Sequence, residues 1–273
     1  MDFEFGQSDK AQAFFNEHPN FWDAFEKLMN VYNRCFGRTC HYENQAESLM
    51  FSLGQACGED YLEIAFMGVH GFDTATTKLL RGLYERAVTH AYIIKNPEKV
   101  MKFIRFGRIQ QYRVMKGALE AGISKEDIDK GVPPDYSIDK ITERRNEVIE
   151  EFKVKECEVC GMVAPMSWDK ASIGEMARKA GDLYKALYLG GYVMPNLHVH
   201  ATLTSAVRLE GLDEKAAAIF RKRTAYSNMG QASAIMLLVL KEQNALFKLG
   251  LEQELEAAEK AIAEEWFSRR AAA

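Results

Sequence analysis

The sequence predicts an all-α protein, a multi-helix bundle, on three observations. Apolar residues recur at three and four positions along almost the whole chain, strand-like alternation is nearly absent, and only six prolines interrupt 273 residues. With 47% hydrophobic residues the chain can bury a full core without disulfide or metal staples. No repeat or low-complexity stretch marks a boundary, so residues 1–273 read as a single helical domain, with a charged helical and loop insertion around 122–170.

Taken in order, Ala11 to Phe36 has helical spacing with a break at His18-Pro19, because proline cannot continue a helix interior. Tyr42 to Val69 is a second helical stretch, with an interruption expected at Gly58-Glu59-Asp60. His70-Gly71-Phe72 is a turn, and Asp73 or Thr74 can cap the helix that follows, Asp73 to Lys95, by accepting from its orphan amides. Asn96-Pro97 ends that helix and starts another to about Ala121, which carries Arg105, Arg108 and Arg113 as a basic stripe. Ser124 to Asp127 and Gly131 to Asp135 form a surface connection to a charged, largely exposed helix from Ser137 to about Lys155. Ser172 to Glu175 reads as a capping box opening a helix through Leu183, Leu187 and Tyr188, which Gly190-Gly191 and Pro195 break. Leu197 to Leu209, Asp213 to about Leu249 with a bend near Gly230, and Glu252 to Phe267 complete the bundle.

Net charge of -4 argues against a general polyanion binder, although a local basic groove such as Arg221-Lys222-Arg223 can still meet phosphates. The opening MDFEFGQSDK has no basic and apolar leader, and the longest apolar run, Ala234 to Leu240, is too short to span a bilayer. A cytoplasmic protein with no membrane partner is expected. Five cysteines, an odd number, fit reduced thiols better than a disulfide framework. No cofactor is expected, and the one metal candidate is zinc at Cys157 and Cys160, whose CxxC spacing has the shape of a zinc knuckle. Two further ligands are needed, and Cys35, Cys40 and His41 are the candidates.

The chemistry concentrates on the helix Asp73 to Lys95. Leu79, Leu80, Leu83, Tyr84, Ala87 and Ala91 share one face; Arg81 and Glu85, four apart, share one edge, and Arg86 and His90 pair on the other. A guanidinium beside an apolar face is either a structural ion pair or a fork for a phosphate or carboxylate that Glu85 orients. The second candidate segment is Pro195 to Thr202, where His198 and His200 are too close in sequence to share a helix face. His200, one turn after Asn196, is expected to point inward and, if it is not simply a packing residue, to serve as a general base or acid.

Leu80-Arg81-Gly82-Leu83-Tyr84-Glu85-Arg86-Ala87-Val88-Thr89-His90-Ala91-Tyr92, then Asn96-Pro97, Trp168, Ser172-Ile173, Tyr184 to Tyr188 and Val199-His200-Ala201, follow one another in an order with family character. Together, over about residues 42–210, they resemble a bacterial family of helical domains of unknown function that is similar to the HEPN superfamily. The resemblance implies an all-α core with Arg81, Glu85 and His200 at the recurring polar positions and Asn196 at a small polar one. It also implies action on RNA or a nucleotide in stress or phage defence, by metal-independent cleavage at the interface of a homodimer. Arg86 and His90 are separated by only three residues, so cleavage here requires Arg81 and His200 to meet in space, the arginine stabilising phosphorane charge and the histidine moving the 2′-hydroxyl proton. The alternative is a non-catalytic interaction or regulatory module in which Arg81, Glu85 and His200 stabilise packing.

Overall fold

A computed structural model of the chain describes residues 8–39, 42–153, 167–200 and 202–267. The protein is all-α: among the described residues every regular element is a helix. They fall into two compact units, residues 1–95 with 173–273, and residues 96–172. The second unit takes in the expected inserted stretch together with the helix that precedes it.

In the first unit, α1 (Ser8–Glu17) and α2 (Phe21–Phe36) flank the expected break at His18-Pro19. The next helix, α3 (Gln45–Val69), opens where Asn44 accepts from the Glu47 amide, the cap that fixes its start. It runs through Gly58 without the expected interruption. Gly58 is instead a contact point, because a Cβ there would overlap the Tyr32 ring of α2. The centre of the unit is α4 (Asp73–Lys95), with Leu80, Leu83, Tyr84, Ala87, Val88, Ala91, Tyr92 and Ile93 all removed from water. Burial on this scale is worth about 1.5–3 kcal/mol for each large side chain. Its neighbours are α3 and α12 (Glu214–Phe247), the latter capped by Asp213 on the Ala216 amide. Against α12 and α2 lies α13 (Glu252–Trp266), and α12 runs on through Gly230, whose missing side chain makes room for the Trp266 indole.

The stretch from Ser172 onward differs from expectation in a way that matters for the site. Gly181, at φ +141°, divides α8 (Ile173–Ala180) from α9 (Asp182–Tyr188). Gly190-Gly191 does not break the chain: residues Leu189–Val193 form a π turn, with the Met194 amide donating to the Leu189 carbonyl, and α10 (Met194–Val199) continues directly. The expected single helix Leu197 to Leu209 is two pieces, because the backbone leaves the helix at His200 (ψ 156°) before Thr202 caps α11 (Leu203–Val207).

The second unit contains α5 (Val100–Glu120), α6 (Lys125–Lys130) and α7 (Ile138–Phe152). The expected exposed character of α7 holds for only part of it, since Val148, Ile149 and Phe152 bury against Phe106 and Ile109 of α5 with Trp168 beside them.

Candidate functional site

Arg81 stands on the edge of α4, and three groups fix its guanidinium. Nη1 lies 3.0 Å from Glu85 Oε2, Nε donates to Asn196 Oδ1 at 2.9 Å, and the guanidinium carbon lies 5.1 Å from the centre of the Tyr192 ring. Nη2 makes no hydrogen bond to the described residues, and the side chain keeps 25% of its surface in contact with solvent. Asn196 and Tyr192 reach this edge because of the π turn. Its wide step rephases the helix, and Gly191 lies so close to α4 that a Cβ there would stand 2.7 Å from the Tyr84 ring. Tyr188 and Tyr192 stack at 5.6 Å with an angle of 17° between planes, and Tyr84 Oη donates to the Tyr184 carbonyl at 2.6 Å. The result is a half-exposed shelf of one oriented cation, one carboxylate, one amide and a tyrosine stack.

The structure therefore joins Arg81 and Glu85, as the spacing predicts, and adds Asn196. It does not turn His200 inward. The ring of His200 is exposed at the C-terminal end of α10, and no hydrogen bond, ion pair or ring contact connects it to Arg81 or Glu85 among the described residues. The inward expectation fails because it assumed a helix through residue 200, whereas the chain is extended there. His198 is the more enclosed of the two. Burial and the Arg208 guanidinium lower its imidazole pKa, against an opposing pull from Asp73. Arg208 and Asp73 themselves form an ion pair at 2.7 Å that is almost shut off from water.

The expected second pair, Arg86 with His90, is also absent. Arg86 pairs across to Asp60 of α3, while His90 is fully buried in a polar chain that the sequence does not announce. His90 Nδ1 lies 2.9 Å from Glu242 Oε2, which also accepts from Tyr184 Oη at 3.1 Å. Gln243 Nε2 lies 2.8 Å from His90 Nε2 and donates to the Met50 carbonyl at 2.8 Å. Because that amide nitrogen is a donor toward the carbonyl and toward His90, the imidazole accepts at Nε2 and carries its proton on Nδ1, facing Glu242. Cys57 lies in the same interior, its thiol pKa driven up by burial first and by the Asp60 carboxylate second. A thiol so placed is a packing group and not a nucleophile.

The basic stripe of α5 is largely neutralised: Arg105 bonds Glu151 at 2.8 and 3.0 Å, and Arg108 pairs with Glu147. The zinc candidates Cys157 and Cys160, with Cys40 and His41, lie outside the described residues. Among the described residues no three His, Cys, Asp or Glu side chains gather as metal ligands would. No described helix is long and apolar enough to cross a membrane.

Residues 48–216 match the model of a family of unknown function, DUF5677. No curated protein and no solved structure matches the chain.

Proposed function

Since the chain belongs to this family of unknown function, whose description assigns no chemistry, we propose a function from its own side chains: binding of an RNA or nucleotide phosphate by Arg81. The observation that carries this reading is the posture of the guanidinium. It is held by Glu85, Asn196 and Tyr192, while Nη2 has no hydrogen-bond partner among the described residues, at a half-exposed surface. An arginine already oriented loses little side-chain entropy when it meets a phosphate, and a charge-assisted bond of this kind contributes about 1.5–3 kcal/mol. Tyr188 and Tyr192 supply aromatic surface beside it, the kind on which a base stacks. His200 is exposed at the end of the same short helix that carries Asn196, and cleavage asks for a proton-transfer step from such a group in addition to binding.

The test is fluorescence anisotropy with a labelled single-stranded RNA of about 12 nucleotides at two salt concentrations. Arg81→Ala is expected to weaken binding about tenfold or more, which corresponds to about 1.4 kcal/mol. The melting temperature should move by no more than a few degrees. Equal affinity for wild type and variant overturns the proposal.

A second reading has its own observation. The Arg81 to Asn196 bond ties α4 to α10, so the pair can act purely as a clamp. In that case Arg81→Ala and Asn196→Ala both lower the melting temperature, and neither changes RNA affinity.

A further inference from the structure

Glu265, on α13, has a carboxylate with no solvent contact at all. Removing a carboxylate from water costs several kcal/mol unless other groups replace the lost hydration, so its surroundings identify what it is for. Tyr226 Oη donates to Glu265 Oε1 at 2.8 Å, and His18 Nδ1 approaches the same oxygen to 3.3 Å. The His18 ring is fixed in plane as well. It stacks on Tyr226 with ring centres 4.0 Å apart and planes 18° from parallel, and Phe14 lies 4.7 Å away. Its Nε2 has no hydrogen-bond partner among the described residues, and 18% of the side chain is exposed. Nδ1 is buried and makes no hydrogen bond to the carboxylate it approaches, so the ring is held in place chiefly by its stack on Tyr226, with an edge left to solvent.

There is space for one. His18 borders a cleft of about 980 Å³, lined also by Leu187, Arg223, Gln231, Trp266 and Phe267. That is at the upper end of the range that receives small molecules, about 300–1,000 Å³. Trp266 belongs to the lining, and its indole N–H is buried with no acceptor among the described residues. Gly230 permits this, since a Cβ there would stand 2.6 Å from the indole ring and 3.2 Å from its nitrogen. An acceptor brought by a ligand is the natural complement to such a donor. Charge favours an acid. Arg223 stands in the lining, and a smaller cavity of about 150 Å³ that His18 also borders is lined by Lys10, Arg221 and Lys222, the last paired with Glu17 at 2.8 Å. Lys10, Arg221 and Arg223 thus gather positive charge near His18 on a chain whose net charge is -4.

We propose that His18, Glu265 and Tyr226 form the floor of a second ligand site, distinct from the Arg81 shelf, that takes a small aromatic acid. The ring enters between Trp266, Phe267 and Leu187, and the acidic group meets Arg223. His18 Nε2 and the Trp266 indole N–H provide the polar contacts that orient it.

The probe is benzoate, with benzamide as its neutral counterpart and inorganic phosphate as an anion without a ring. Side-chain ¹H–¹⁵N spectra of the full chain are recorded during titration, with the His18 and Trp266 signals assigned from His18→Gln and Trp266→Phe. Benzoate is expected to shift both signals in a saturable manner, benzamide and phosphate much less. Arg223→Ala, an exposed position, should raise the benzoate Kd about tenfold with the fold unchanged by circular dichroism. Absence of a saturable shift, equal shifts with benzamide, or a Kd unaffected by Arg223→Ala each overturns the proposal. Since the Arg81 shelf shares no residue with this site, Arg81→Ala must leave benzoate binding intact, and its loss there would equally refute a separate site.

Discussion

Replacing Gln243 with leucine is the sharpest probe of how the core is held. The side chain is fully buried on α12, and its amide nitrogen serves both the Met50 carbonyl of α3 and the His90 ring of α4. Leucine fills similar volume but leaves the His90 ring nitrogen without its donor, at about 1–3 kcal/mol, and removes the extra bond to the Met50 carbonyl, which keeps its helical partner, at about 0.5–1.5 kcal/mol. One term runs the other way: Gln243 Oε1 is itself buried without a hydrogen-bond partner among the described residues, and the substitution removes that deficit of about 1–3 kcal/mol. At the middle of each range the net expectation is a loss of about 1 kcal/mol, or about 2–4 °C in melting temperature for a unit of this size. Urea unfolding should show a lower midpoint with an unchanged slope, because the cost lies in the native state. A variant that melts at or above the wild-type temperature would refute the claim that this amide is the bond holding three helices in register.

Three further outcomes follow from the same coordinates. Gly191→Ala places a methyl 2.7 Å from the Tyr84 ring, so it should destabilise by about 1–3 kcal/mol and weaken the Tyr84 bond to Tyr184, measured by thermal melting and by tyrosine near-UV signals. Arg208→Met leaves Asp73 as an enclosed, uncompensated carboxylate and should cost about 3 kcal/mol or more, whereas Asp73→Asn combined with Arg208→Met should recover much of it; additive losses in that double-mutant cycle would contradict the pairing. His198 has a pKa below its ordinary 6.5 in the folded chain, through burial and Arg208. As pH falls through 6.5 the unfolded chain takes up this proton first, so stability contributed by the neutral ring is present above 6.5 and lost on the acid side until the folded pKa is passed. His198→Gln should flatten that part of the stability profile.

The helices were readable in the sequence wherever one physical rule governed them. Asp73 to Lys95 has its polar start and its Asn96-Pro97 stop written in adjacent residues, and the Arg81 to Glu85 pair needs nothing beyond the helical repeat. What could not be read depends on distant partners. His90 looks like an edge residue beside Arg86 until Glu242 and Gln243, more than 150 positions away, arrive from α12. The same is true of Gly58 and Gly191, which suggest breaks by composition and prove to be contact points against Tyr32 and Tyr84. The inward reading of His200 failed for a local reason, since no rule of spacing announces that the backbone becomes extended at that residue.

The widened step at Leu189–Val193 has a geometric consequence for evolution of this surface. Such a step consumes one residue more than an ordinary turn, and one residue corresponds to about 100° of rotation about the helix axis. Everything that follows, Asn196 included, owes its compass bearing to that single surplus position. A one-residue deletion there would swing the amide away from Arg81 while leaving the hydrophobic contacts of α4 with α3 and α12 untouched, so the polar rim can be re-aimed by a change in length without redesigning the interior it rests on.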